Sequence, residues 1–89
     1  MNNQMIVKIE TCLDKLKQKP IKISQNGFIM NQFFIDKMIY KIQSDILNLR
    51  DETKEIYLSI NLNQVYQIEI SENKIILFMD NDTEIEISI

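Results

Sequence analysis

The chain has 89 residues, which predicts one domain, residues 1–89, burying roughly 60–65% of its unfolded surface around one core, with no room for a deep cofactor cavity. Hydrophobic residues make up 45% and charged residues 26%, values that argue against disorder, and the short, interrupted apolar runs exclude a membrane-spanning helix. The net charge of −3 divides unevenly: residues 1–50 carry eight basic and four acidic side chains (+4), residues 51–89 two basic and nine acidic (−7).

Residues 4–18 have the spacing of an amphipathic helix, with Met5, Ile9, Cys12, Leu13 and Leu16 on one side. Asn2 or Asn3 can cap its start, and Pro20 stops it by pushing Lys19 toward extended geometry. Ile21-Lys22-Ile23 suits a short strand, and Asn26-Gly27 is a turn signal, which allows a short hairpin between two helices running into Phe28-Ile29-Met30. A second helix is predicted over residues 31–49. Ile35, Ile39, Ile42, Ile46 and Leu49 step by four, three, four and three, and Phe33, Tyr40 and Leu47 make a second stripe that would face helix 1, a second copy or another partner.

From residue 55 onward the pattern alternates, which predicts four strands. Their core-facing sets are Ile56, Leu58, Ile60 and Leu62; Tyr66, Ile68 and Ile70; Ile75, Leu77 and Met79; and Ile85, Ile87 and Ile89. The short connections predict an antiparallel meander with helix 2 packed on one face, giving an α+β fold of two helices followed by a four-stranded sheet. A turn at Glu72-Asn73 pairs Ile70 with Ile75, Ile68 with Leu77 and Tyr66 with Met79. The opposite face then gathers Tyr57, Val65, Ile76 and Phe78 inside a rim of Glu69, Glu84 and Glu86, with Phe78 beside Gln67 and Glu86. An apolar centre with a charged rim is the anatomy of a protein interface, and a partner, a second copy or helix 1 could cover it.

Several chemistries are excluded. There is no histidine and one cysteine, Cys12, so nucleophile–base pairs with His and Cys/His zinc sites cannot be built within the chain. The single glycine, Gly27, leaves no phosphate-cradling loop. Asp80-Asn81-Asp82-Thr83-Glu84 spaces its carboxylates as a calcium loop does, but Ile85 stands where the loop needs glycine, so an acidic turn is expected. Neither an enzyme, a cofactor nor a metal is predicted. The first-half cations, among them Lys8, Lys15, Lys17, Lys22, Lys37, Lys41 and Arg50, would give a nucleic-acid surface if one face collected them, but no aromatic platform interleaves them and the acidic balance disfavours it.

The expected function is therefore a non-enzymatic protein-binding domain whose acidic half meets a basic partner. Eighteen isoleucines, nine lysines and nine asparagines against one glycine, one proline and no alanine indicate an AT-rich genome, that of a low-GC bacterium or of a virus or mobile element within one. A phage-encoded, anti-CRISPR-like inhibitor of a basic, nucleic-acid-handling defence protein fits that description. A homodimeric regulator using Phe33, Tyr40 and Leu47 is the alternative, and a small nucleic-acid binder the third. The polar start Met1–Met5 and the lone thiol predict a cytoplasmic location.

Overall fold

A computed structural model describes residues 3–27, 30–53, 55 and 57–89. Helix α1 spans Asn3–Leu16 and buries Ile9, Cys12, Leu13 and Leu16, one stripe at helical spacing. Its last carbonyls are taken up in a tapering turn, by Lys17 N–H to Leu13 O at 2.9 Å and Lys19 N–H to Leu16 O at 3.2 Å, before Pro20 ends the run. The cap candidate Asn2 lies outside the described residues.

Among the described residues, the remaining elements are strands and one 3₁₀ turn. β1 (Ile21–Asn26), β2 (Asn31–Ile35), β6 (Val65–Ser71), β7 (Lys74–Met79) and β8 (Glu84–Ser88) form a five-stranded antiparallel sheet in the order β2-β1-β8-β7-β6. β3 (Met38–Gln43), β4 (Ile46–Asp51) and β5 (Tyr57–Asn61) form a three-stranded antiparallel sheet, and a 3₁₀ turn, Leu62–Gln64, carries the chain from β5 into β6. The two sheets and α1 close on one core, in which Ile9, Leu13, Leu16, Ile23, Ile35, Leu47, Leu49, Ile60, Leu62, Ile75, Leu77 and Ile87 are fully buried. Among the described residues no helix is long and apolar enough to cross a membrane.

This architecture corrects the expected one of two helices and a four-stranded meander. Residues 31–51 are three strands, not a helix. The stripe at four-three-four-three spacing is split: Ile35, Ile42 and Leu49 face the core, whereas Ile39 and Ile46 face outward from the three-stranded sheet. Phe33, Tyr40 and Leu47 are not an outer stripe either, because all three point inward and Leu47 is fully buried. Two forces decide for strands. The segment is rich in β-branched and aromatic residues, which lose side-chain freedom in a helix and pack well on a pleated surface. Ser44 and Asp45 also take φ of 53° and 61°, the left-handed pair of a two-residue hairpin turn, and this reverses the chain between β3 and β4.

The second correction concerns the meander. β5 leaves the sheet that β6, β7 and β8 form, and β1 returns from the N-terminal half to pair with β8. The segment between the expected helices is a hairpin: β1 pairs with β2 across residues 27–30, of which Phe28 and Ile29 lie outside the described residues, as does Ile56 before β5. Gly27 sits close to the β7–β8 turn: a Cβ there would stand 3.0 Å from Thr83 Oγ1, so that side chain would have to shift slightly to admit one.

Asp51 ties the ends of the three-stranded sheet together. It is 4% exposed and accepts from Asp36 N–H at 2.9 Å, Thr53 N–H at 2.9 Å and Thr53 Oγ1 at 2.8 Å. Burial alone would raise its pKa, but these donors and the Lys37 N–H favour the anion, and the carboxyl is lowered to about 2.

Candidate functional site: the outer face of the five-stranded sheet

In an antiparallel sheet, residues directly opposite one another project from the same face. The register therefore assembles three rows on the side away from the core. The first runs Phe34, Lys22, Ser88, Lys74, Ser71. The second runs Gln32, Ser24, Glu86, Ile76, Glu69. The third runs Asn26, Glu84, Phe78, Gln67. Ile76 thus lies between Glu86 and Glu69, and Phe78 between Glu84 and Gln67. Both apolar side chains are half-buried among their neighbours.

Five of the six expected partner residues, Glu69, Ile76, Phe78, Glu84 and Glu86, stand on this one face. The detail differs in two respects. Phe78 is opposite Glu84, and Glu86 is opposite Ile76, because the β7–β8 register is centred on Asn81, two residues short of the pairing expected. β6 carries a bulge between Val65 and Gln67, so that Val65, expected on the outer face, turns into the core and pairs with Met79 in place of Tyr66. An inserted residue reverses which face the preceding side chains take. Tyr66 is accordingly 65% exposed and meets Phe78 with ring centroids 6.4 Å apart, enlarging the apolar patch.

α1 does not cover this face. Its buried stripe joins the core on the opposite side of β7, where Cys12 Sγ approaches Lys74 O at 4.0 Å. Among the described residues, no helix or second sheet lies across the outer side. Lys74 Nζ pairs with Glu86 Oε1 at 3.4 Å, while Glu69 and Glu84 make no ion pair among the described residues. The face thus carries an apolar patch toward its β6 edge, flanked by the unpaired carboxylates Glu69 on β6 and Glu84 on the central strand β8, with Lys22 toward the far edge.

Tyr57, the sixth expected residue, is elsewhere. It lies on the outer face of the three-stranded sheet, opposite Arg50, 65% exposed. Its hydroxyl donates to Asn48 Oδ1 at 2.6 Å, and Ser59 Oγ donates to the same oxygen at 2.7 Å. That face also presents Lys41, opposite Asn48, and projects no carboxylate among the described residues. The cations of the first half are therefore shared among α1, the five-stranded sheet and this second face, not collected on one.

Of the three residues expected as a dimer surface, Phe33 lies on the core side of β2, and Leu47 is inside the core. Tyr40 ties β3 to α1. Its hydroxyl donates to Asp14 Oδ1 at 2.8 Å, and burial first, then this bond and the Asp14 and Glu10 charges, push its pKa up to about 12. The same bond, with Lys17 at 3.4 Å, holds the Asp14 carboxyl below its usual value.

Sequence reasoning missed Tyr66, Phe34, Lys22, Ser24 and Gln32 on the outer face. Tyr66 follows from a bulge that no local pattern announces. The other four arrive through pairing between β1 and β8, some sixty residues apart in the chain. Comparison with protein-family models, with curated proteins and with solved structures returns no match for this chain.

Proposed function

We propose that the chain is a non-enzymatic protein-binding domain that docks a partner of basic surface on the outer face of its five-stranded sheet. The observation that carries this reading is an uncovered apolar patch of Ile76, Phe78 and Tyr66 on β7 and the β6 edge, flanked by the unpaired carboxylates Glu69 and Glu84. The apolar surface supplies affinity on desolvation, and the flanking carboxylates select and steer a cationic partner. A basic, nucleic-acid-handling protein has the matching chemistry, and inhibition of such a protein by a phage-encoded chain is the setting that the AT-rich residue usage supports. The buried, unpaired thiol of Cys12 supports action in the reducing cytoplasm.

The triple variant Glu69→Lys, Glu84→Lys, Glu86→Lys tests the reading. Tagged wild-type protein is expected to retain a stoichiometric basic protein from nuclease-treated lysate of a low-GC bacterium. The variant, folded by circular dichroism, is expected to lose it. Equal retention by both would remove this face as the contact, and a partner lost on nuclease treatment would show bridging by nucleic acid.

A further inference from the structure

The edge of the same sheet indicates how a partner would engage. β6 has seven residues, the longest strand of the eight, and it ends the five-stranded sheet with no strand paired to its free side among the described residues. Sheet edges are ordinarily blunted by shortness, by lysine or by proline. β2 and β5, two of the other edges, have five residues each, and β3 carries Lys41. β6 has neither lysine nor proline, and beyond its bulge the run Gln67–Ser71 is regular. It exposes apolar surface on both faces: Tyr66 outward, and Ile70, 45% exposed, on the core side. Beneath Ile70, a crevice of about 440 Å³ opens between β6 and α1, lined by Val7, Cys12, Lys8 and Lys15 among others.

We propose that β6 accepts an extended segment of the basic partner as a sixth strand; this rests on the face reading above and specifies its mode. Main-chain hydrogen bonds to the free edge supply affinity, and alternating side chains supply specificity. Positions of the added strand opposite Ile68 and Ile70 point to the core side and fill the crevice with apolar groups. Positions opposite Glu69 point outward and present Lys or Arg to its carboxylate. The charges fix which side is which, because a slip of one residue would bring the cations against Lys8 and Lys15 and the apolar groups against Glu69.

The probe is a blocked nine-residue peptide of alternating Val and Lys, with an alternating Val and Glu peptide as control, followed by amide exchange and NMR of the whole chain. The Val/Lys peptide is expected to slow exchange of the outward amides of Gln67–Ser71 at least tenfold and to give cross-strand Hα contacts to β6. Glu69→Lys is expected to weaken it at least tenfold. If the peptide shifts Ile76, Phe78 and Glu84 without protecting β6, docking on the face stands and strand addition is overturned. If nothing responds, both readings fall. Protection of β6 that grows with protein concentration before any peptide is added would show a second copy on the edge and overturn the proposal.

Discussion

Leu47→Ala is expected to lower the free energy of unfolding by about 2–5 kcal/mol, measured by urea denaturation. Leu47 is fully buried on β4, the central strand of its sheet, where it pairs with Ile42 on one side and Ile60 on the other. Truncation removes apolar atoms from the core and leaves a cavity that a central strand, held by ladders on both edges, cannot collapse to fill. Domains of this size have only about 5–15 kcal/mol of stability in all, so the loss is a large share. Tyr57→Ala, on the outward face of the neighbouring strand, is expected to cost less than about 1 kcal/mol. Were Leu47 a contact for a partner on a helix surface, its truncation would weaken association and leave unfolding nearly unchanged.

Asp51→Asn is expected to give the second large loss, with a pH signature. In the native protein the carboxylate accepts from Asp36, Lys37 and Thr53. An amide at that position has one oxygen and turns an NH₂ toward donors, so at least one buried N–H loses its acceptor. The folded-state pKa of about 2 lies below the ordinary carboxylate value of about 3.9, so the anion's stabilisation is fully present above about pH 4–5. It is lost as pH falls toward 2, where the native carboxylate takes up its proton. The difference in urea midpoint between wild type and variant should therefore be widest at neutral pH and narrow steadily below pH about 4. A difference that stays constant from pH 7 to pH 2 would show that the hydrogen bonds to the anion are not the cause.

Local pattern made some of this structure legible and left the rest hidden. The helix at the N-terminus is readable because Ile9, Cys12, Leu13 and Leu16 repeat at one period and Pro20 ends it. The β6–β7 turn is readable because Ile70 opposite Ile75 and Ile68 opposite Leu77 satisfy one register on one face. Residues 31–51 mislead because an odd separation across a two-residue hairpin returns a side chain to the same face, so Tyr40 and Leu47, seven apart, both meet the core and imitate a helical stripe. The Ser44-Asp45 turn lacks the glycine that marks most such turns. The outer face was partly legible, since its carboxylates and its Ile76–Phe78 patch follow from alternation within β6, β7 and β8. What alternation cannot supply is which strands become neighbours. The exit of Tyr57 to another sheet and the arrival of β1 beside β8 are set by packing two sheets and a helix around a single core, a non-local balance of burial against chain entropy.

The most direct test of this architecture, on which the docking face depends, is a backbone NMR assignment with nuclear Overhauser contacts. Extended-chain shifts are expected over residues 38–43 and 46–51, with cross-strand contacts between Leu47 and Ile60 and between Ser24 and Glu86. Sequential amide–amide contacts and Hα to amide contacts three residues apart, running unbroken from residue 31 to 49, would contradict this architecture. They would restore a second helix and dissolve the three-stranded sheet.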